Sequence, residues 1–307
     1  ARAGAKALAI AASRYSGNDL REFLSYMEKV ADYVRSARPT AVSLPNAVMY
    51  VMSRLRRSRP SNVEEAKELV IKSAEDFISY SLNAVRIIGE LGAKRIENGD
   101  VIMTHCHSTA AVSVIITAHK QGKVNTVYVK ETRPKMQGLI TAKALADAGL
   151  DVILIPDSAV RYYMKKVNKV VVGADTVAAN GAVVNKIGTS MVALAAKEAR
   201  VRVYVAAGTY KFGFETAFGE LIEGVILNDP KLIMPKNWIE KLAGKVIVRE
   251  PLFDVTPPEY INVIITEVGL IAPQAIPILV KEIYGWPPKV KSIEELLKEV
   301  KRYGISS

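Results

Sequence analysis

The first third of the chain has the hydrophobic spacing of helices and no alternation that would indicate a strand. Between Leu20 and Val34, apolar side chains recur every three or four positions, which is the spacing of one buried helix face. Pro39 ends this pattern, because proline interrupts a helix. Two further patterns of the same kind predict helices over residues 47–55 and 61–90. We therefore predict that this third of the chain is all-helical.

After Asp100 the pattern changes to short apolar runs that alternate with helical spacing. The predicted strands are residues 101–103, 127–129, 152–155, 170–172, 201–206 and 263–265. The predicted helices between them are residues 108–122, 139–148, 158–166 and 191–198. Wholly apolar strands that alternate with helices are typical of a parallel sheet covered on both faces. The predicted fold class is thus α/β, with an all-helical N-terminal domain (1–95) followed by a Rossmann-like doubly wound parallel sheet (96–307).

Composition indicates a globular protein with a sizeable core, since half of the 307 residues are hydrophobic. No apolar run reaches the ~18 residues that a membrane span needs, so no membrane association is expected. The first residues lack the apolar segment of a signal peptide, and a single cysteine fits a reducing compartment. We therefore expect a cytoplasmic protein.

The net charge of +11 is consistent with three explanations: nucleic acid, an acidic metabolite, or the lysine-rich surface of a thermophile. The basic residues are scattered over the whole chain. No tract alternates them with aromatic residues, as a surface that binds single strands would. Charge alone does not indicate nucleic acid, and we do not expect it as a partner.

Polar residues follow several predicted strands at the point where each strand ends. Cys106 follows the first strand, residues 131–134 the second, Asp157 the third, Asp175 the fourth and residues 208–212 the fifth. In an open α/β sheet, ligands bind outside the carboxyl ends of the strands. These endings therefore predict one shared pocket.

The stretch from Gly173 to Thr189 is the most informative of these endings. Asp175 is predicted at the carboxyl end of a buried strand, and Asn185 and Lys186 lie close to the start of the next helix. A carboxylate, an amide and an ammonium separated by glycines favour a phosphorylated or polyhydroxylated ligand. An ordinary turn with an aspartate cap is the alternative, and the neighbouring strand ends favour a binding site.

Cys106 lies between the first strand and a helix that is predicted to begin near Ser108. Backbone amides at a helix N-terminus attract anions, so Ser108, Thr109 and Ala110 are candidates for binding a phosphate. The same field is expected to favour the Cys106 thiolate and to make it a proton acceptor or nucleophile. Free cysteines are often buried and inert, but the position at a strand end favours a function here.

His105 and His107 flank the cysteine and raise the question of a metal site. A zinc site needs three or four ligands at characteristic spacing, and the sequence offers only His119 in addition, a helix away. We therefore expect no metal ligands here and interpret both histidines as supporting or packing residues. The glycine-rich dinucleotide fingerprint and the P-loop are absent from the sequence, so no cofactor is expected.

Six motifs together resemble one superfamily, which joins sugar-phosphate aldose-ketose isomerases with the regulatory subunits of translation initiation factor two B. The motifs are residues 104–106, 131–134, 173–175, 179–181, 185–189 and 253–259. The resemblance covers nearly the whole chain. Within the superfamily, residues 38–42 and 210–212 look most like the archaeal ribose-1,5-bisphosphate isomerases.

This resemblance implies a reaction and the residues that carry it. The isomerases of that branch convert ribose 1,5-bisphosphate to ribulose 1,5-bisphosphate in an archaeal route of AMP salvage. By the resemblance, Cys106 would be the proton acceptor and Asp175 the proton donor. The implied substrate contacts are Arg2, Ala3, Gly4, Ala5, Arg38, Ser108, Thr109, Ala110, Asn185, Lys186 and Lys211.

The resemblance also implies a phosphorylated pentose as the substrate, AMP as a candidate activator, and a homo-oligomer, namely a hexamer built as a trimer of dimers. Two alternatives stay open. A methylthioribose-1-phosphate isomerase would share Cys106 and Asp175, but a second phosphate calls for the extra cations that Arg38 and Lys211 supply. A non-catalytic regulatory subunit would need no cysteine and aspartate facing one pocket.

Overall fold

The computed structural model describes residues 1–37, 42–213, 226–242 and 244–278. Its first part consists of helices α1 (Arg2–Arg14), α2 (Leu20–Ser36), α3 (Ser43–Ser58) and α4 (Val63–Ala93). Their apolar faces pack into one core, which includes the buried side chains of Leu8, Phe23, Met27, Met52 and Leu55. The predicted all-helical segment is confirmed, with α1 as an addition to the predicted helices. No helix of the described ranges is long and apolar enough to cross a membrane.

Helix α4 connects this bundle to the rest of the chain. It begins where the Asn62 side chain accepts a hydrogen bond from the Glu65 N–H, while the Glu65 carboxylate accepts one from the Ser61 N–H. These reciprocal bonds satisfy amides that a helix start leaves without partners. At the other end of α4, Ile88 and Ala93 belong to a core that the helix shares with the sheet. The predicted domain boundary near residue 95 stays a prediction.

The remaining described elements alternate strands with helices. The strands are β1 (Ile102–Thr104), β2 (Thr126–Lys130), β3 (Asp151–Ile155), β4 (Lys169–Val172), β5 (Thr176–Ala178), β6 (Val183–Lys186), β7 (Arg202–Ala206), β8 (Phe212–Gly213), β9 (Ile226–Leu227), β10 (Glu250–Pro251), β11 (Phe253–Thr256), β12 (Val263–Thr266) and β13 (Gly269–Ile271). The helices are α5 (Thr109–Lys120), α6 (Gly138–Asp147), α7 (Val160–Met164), α8 (Thr189–Glu198) and α9 (Lys236–Leu242).

The main sheet has seven strands in the order β13-β12-β7-β4-β1-β2-β3. All neighbours pair in parallel except β13, which is antiparallel to β12 at the edge. The chain runs from β1 outward to β3 and then crosses back to β4, so the strand order reverses between β1 and β4. The predicted doubly wound sheet is confirmed, and this reversal is where such sheets bind ligands.

Helices cover both faces of the sheet, which explains why its central strands are mainly apolar. Ile102 of β1 packs in a core with Val114 of α5 and Leu145 of α6. Its neighbour Met103 points to the opposite face and packs in a core with Val192 of α8. Successive side chains of a strand point to opposite faces, so a strand between two helical layers is hydrophobic at most of its positions.

A second sheet of four strands, in the order β11-β6-β5-β8, occupies the stretch that the sequence indicated as a site. Strands β5 and β6 form an antiparallel hairpin, and β11 pairs with β6 on its other side. Gly181 takes φ 85° in the hairpin turn, and a Cβ there would lie 2.2 Å from the Pro273 carbonyl oxygen. This sheet was not predicted, and it places Asn185 and Lys186 on a strand that ends just before α8.

Candidate active site

The candidate site lies at the carboxyl ends of β1 and β4, where the strand order reverses. Cys106 follows β1 by two residues, and Asp175 follows β4 by three. The Asp175 N–H donates to the Val184 carbonyl at 2.9 Å, which fixes the aspartate to the hairpin of the second sheet. The sequence-based expectation that these two residues share one edge of the sheet is met by this arrangement.

Cys106 is buried, with 7% of its surface exposed, and its backbone is held in the left-handed region at φ 64°. Its N–H donates to Thr132 Oγ1 at 2.9 Å, and its carbonyl accepts from Thr141 Oγ1 at 2.8 Å. Its Sγ lies 3.7 Å from Gln137 Oε1. Non-glycine residues rarely adopt positive φ, and strained residues of this kind concentrate at functional sites.

The electrostatic environment of the Cys106 thiol differs from the sequence-based expectation. Burial raises the pKa of the thiol, and this effect outweighs a hydrogen bond from the His107 N–H and the charge of Lys186, both of which lower it. The charge of Asp175 raises the pKa further, and that of Lys211 lowers it. The expected net stabilisation of the thiolate was therefore wrong, because desolvation disfavours the charged form more than the helix start and the lysines favour it.

The start of α5 lies beside this cysteine, as predicted. The Ser108 hydroxyl accepts from the Ala111 N–H at 3.3 Å and so caps the helix. Thr109 is exposed and Ala110 is buried. Gly173 packs so closely here that a Cβ would lie 2.4 Å from the Ser108 Cβ. A glycine after β4 thus lets the two strand ends approach each other, and the helix start supplies amides suited to an anion.

Asn185 and Lys186 are held rigidly at the end of β6. Asn185 Nδ2 donates to Thr189 Oγ1 at 3.0 Å, and that hydroxyl donates to the Lys186 carbonyl at 2.6 Å. Lys186 Nζ lies 4.6 Å from the centre of the Phe253 ring. The Asp254 carboxylate accepts the Gly188 N–H at 2.7 Å. These contacts order both side chains, and the charge of Lys186 acts on the Cys106 thiol.

Lys211 lies at the end of a single turn of 3-10 helix, Thr209–Lys211. Its Nζ donates to the Ala174 carbonyl at 2.5 Å, directly before Asp175. The charge of Lys211 also lowers the pKa of the Cys106 thiol. Its position agrees with the predicted contact to an anionic substrate.

The N-terminal residues approach the same turn from the helical side. The charge of Arg2 lowers the pKa of Tyr210 against a larger increase that burial causes, so Arg2 lies near this ring. Ala3 is exposed, whereas Gly4 and Ala5 are buried against the helical core. A Cβ at Gly4 would lie 2.2 Å from Leu44 Cδ1, so the glycine serves helix packing here. The predicted substrate contact of Arg38 lies outside the described residues.

Lys130 is a site residue that the sequence reasoning missed. Its side chain is fully buried, and its Nζ donates to the Gly188 carbonyl at 3.3 Å and lies 3.6 Å from Asp157 Oδ1. Burial lowers the pKa of Lys130, which the Asp157 carboxylate opposes. The available signal was a lysine that directly follows the apolar residues Val127 to Val129 of a buried strand.

Comparisons with known proteins agree with this description. The model of the initiation factor 2 subunit family matches residues 1–273. A relative from Pyrococcus furiosus, named ribose 1,5-bisphosphate isomerase, is 50% identical over 293 residues, which are 95% of this chain and 90% of the relative.

Two solved structures share the fold. The 5-methylthioribose 1-phosphate isomerase of Pyrococcus horikoshii OT3 is 29% identical, with a TM-score of 0.76 over 92% of this chain and 82% of that one. The delta subunit of translation initiation factor eIF-2B from A. fulgidus is 35% identical, with a TM-score of 0.69 over 91% and 85%. The expectation of a sugar-phosphate isomerase is confirmed by the relatives with that activity in their names. The chain belongs to the initiation factor 2 subunit family.

Proposed function

We propose that this chain is an aldose-ketose isomerase that converts ribose 1,5-bisphosphate to ribulose 1,5-bisphosphate. One observation carries the proposal: at the point where the strand order reverses, the charges of Asp175, Lys186 and Lys211 all act on the Cys106 thiol. A relative of this name at 50% identity over nearly the whole chain supports the bisphosphate as the substrate. The methylthioribose-1-phosphate isomerase that shares the fold is more distant, at 29% identity.

The reaction moves protons between adjacent carbons and needs one base and one acid. In the proposed first step, the Cys106 thiolate accepts the proton of carbon two. Asp175 donates a proton to the ring oxygen as the bond from carbon one to that oxygen breaks. In the second step, the Cys106 thiol returns its proton to carbon one. Asp175 recovers a proton from the hydroxyl of carbon two, which becomes the carbonyl of the ketose.

The cations of the site match the charge of this substrate. Two phosphates carry close to four negative charges, and charge-assisted hydrogen bonds to lysine are stronger than neutral ones. Lys186 and Lys211 lie beside the thiol, and the α5 start at Ser108 offers backbone amides to one phosphate. The charges of the same two lysines lower the pKa of the Cys106 thiol, so the lysines serve both binding and chemistry.

Three further parts of the proposal concern the setting of the reaction. We infer a role in AMP salvage, with AMP as a candidate activator and a hexamer built from dimers as the assembly. The relative that is 50% identical supports the substrate. The pathway, the activator and the assembly stay predictions.

The proposal is tested by measuring turnover of ribose 1,5-bisphosphate, with ribulose 1,5-bisphosphate detected by a coupled carboxylase. Cys106→Ser and Asp175→Asn should each lower kcat by at least about 100-fold, which is the size of a general acid–base contribution. Asp147→Asn changes an exposed aspartate of α6 and should leave kcat unchanged. Native turnover in both site variants would contradict the assignment.

A further inference from the structure

Two strained residues meet in the candidate site. Cys106 has φ 64° and Thr132 has φ 63°, and the Cys106 N–H donates to Thr132 Oγ1 at 2.9 Å. Positive φ is a genuine outlier for a β-branched residue such as threonine. Glycine would adopt this backbone without strain but would have no hydroxyl for the Cys106 amide. The strained backbone of Thr132 is therefore retained together with the hydroxyl that accepts the Cys106 N–H.

The Thr132 backbone is fixed independently of Cys106. The Asp157 carboxylate accepts the Thr132 N–H at 3.1 Å through Oδ1 and the Arg133 N–H at 2.7 Å through Oδ2. Asp157 is also the carboxylate beside the buried Lys130 ammonium. Thr132 thus reaches the cysteine from an anchored turn after β2.

His105 connects the Thr132 hydroxyl to the loop that begins at Ile187, directly after Lys186. Its Nε2 lies 2.8 Å from the Ile187 carbonyl, which can only accept, so Nε2 carries a proton. Burial and the charge of Lys130 lower the pKa of His105 to about 4, which leaves the ring neutral and Nδ1 unprotonated at neutral pH. Nδ1 lies 3.3 Å from Thr132 Oγ1, which also lies 3.2 Å from the Lys130 carbonyl. The hydroxyl proton has an acceptor in either direction.

We propose that Thr132 and His105 are positioning residues. They hold the Cys106 backbone in its left-handed conformation, and they keep the Cys106 thiol at a fixed distance from the loop that follows Lys186. The catalytic consequence rests on the proposed function, whereas the conformational one does not. Neither side chain transfers a proton to substrate in this account. They act through the Cys106 backbone and the Ile187 carbonyl, which are the two ends of the hydrogen-bonded chain.

The test compares Thr132→Val, which keeps the branched shape and removes the hydroxyl, with Thr132→Ser, which keeps the hydroxyl. Thr256→Val is the control, because Thr256 is buried in β11 and its hydroxyl has no hydrogen-bond partner among the described residues. Well below the melting transition, Thr132→Val should lower kcat by at least about tenfold with little change in KM, since small misplacements of a reacting group are costly. Thr132→Ser and Thr256→Val should stay close to the native kcat.

A second readout does not depend on any substrate. Cys106 is the single cysteine of the chain, so iodoacetamide reports on this thiol alone. Thr132→Val should be alkylated several times faster than the native protein at the same pH, because a released loop exposes the thiol. Thr132→Ser should react at the native rate.

Native kcat and native alkylation in Thr132→Val would overturn the inference, and Thr132→Ala provides the same comparison if the valine variant does not fold. If the native protein turned over neither sugar phosphate, the proposed function would fail. The alkylation rates would still decide whether Thr132 positions the cysteine.

Discussion

At the residue scale, the proposed base and acid differ in how far water reaches them. Cys106 is buried, whereas Asp175 is only partly buried. Burial therefore disfavours the thiolate, and Lys186 and Lys211 are the groups that lower the pKa of this thiol by their charge. Excluding water strengthens the attraction between a thiolate and nearby cations, so these two lysines are the groups that favour the reactive form of the buried base.

His105 predicts how stability depends on pH. Its pKa is lowered to about 4 in the folded protein from a usual value of 6.5. Between these values the unfolded chain binds a proton that the folded protein does not, so stability falls as pH falls. From pH 6.5 to 5 the loss of unfolding free energy due to this group should be about 1–2 kcal/mol.

Urea unfolding of the native protein and of His105→Gln checks this prediction. The glutamine side chain does not titrate, and its amide can still donate toward the Ile187 carbonyl. Its unfolding free energy should therefore fall less between pH 6.5 and 5 than that of the native protein. Equal losses in the two proteins would show that His105 is protonated alike in the folded and unfolded states.

Gly188 predicts a local limit on side-chain volume. It has φ 95°, and a Cβ there would lie 3.1 Å from His105 Cε1 and 3.2 Å from Lys130 Nζ. Gly122 has φ 74° and no atom within 4 Å of such a Cβ. Both alanine variants bear the strain of positive φ, and only Gly188→Ala adds overpacking, which costs about 1–3 kcal/mol.

Thermal or urea unfolding of the two alanine variants measures this difference. Gly188→Ala should lose more unfolding free energy than Gly122→Ala. An equal loss of unfolding free energy in the two variants would mean that His105 and Lys130 move aside without cost. The packing of Gly188 against these two side chains would then be loose.

At the element scale, helices α3 and α4 hold the turn that presents Lys211. Asn46 Nδ2 donates to the Tyr210 and Phe212 carbonyls, each at 3.0 Å, one on either side of the lysine. The Tyr210 ring packs edge-on against Phe77 of α4. The helical part of the chain thus contributes to the site by fixing Lys211, which we propose as a substrate-binding side chain.

Asn46→Ala should therefore weaken substrate binding. We expect KM for the bisphosphate to rise by about tenfold, which corresponds to about 1.4 kcal/mol of lost positioning, and kcat to change less. Asn83→Ala, at an exposed position of α4, is the control and should leave KM unchanged. Steady-state kinetics at saturating and limiting substrate separates the two constants, and an unchanged KM in Asn46→Ala would contradict the role of this contact.

The sequence could predict the main sheet but not the hairpin of the second sheet. Apolar strands alternating with helices identified the parallel sheet, because burial on both faces dictates an uninterrupted hydrophobic run. The hairpin of β5 and β6 was missed because its strands are only three and four residues long, and because β6 pairs on its other side with β11, far away in sequence. Strand pairing of this kind depends on tertiary contacts and leaves little local pattern.

At the site, the sequence identified residue types but not their environment. Cys106 and Asp175 were identified by their positions after strands, and the structure brings them to one edge of the sheet. The direction of the pKa shift of Cys106 was wrong because burial is a property of the whole fold. The left-handed backbone of Thr132 also has no local signal, since only glycine or asparagine normally indicates such a conformation.

At the scale of the whole molecule, the fold alone does not select a function. Solved structures with this fold include an isomerase and a translation factor subunit, at similar TM-scores of 0.76 and 0.69. Function depends on the site that a fold carries. Here that site holds a thiol, a carboxylate and two lysines, and the net charge of +11 also fits an anionic substrate.

The most direct test of the account is therefore a comparison of two substrates on the purified protein. Ribose 1,5-bisphosphate and methylthioribose 1-phosphate are supplied in parallel, and formation of each ketose is followed over time. We predict that the protein turns over the bisphosphate, that Cys106→Ser loses this turnover, and that the methylthio sugar reacts little or not at all. Turnover of the methylthio sugar alone would contradict the proposed substrate, and no reaction with either sugar would contradict the proposed enzyme.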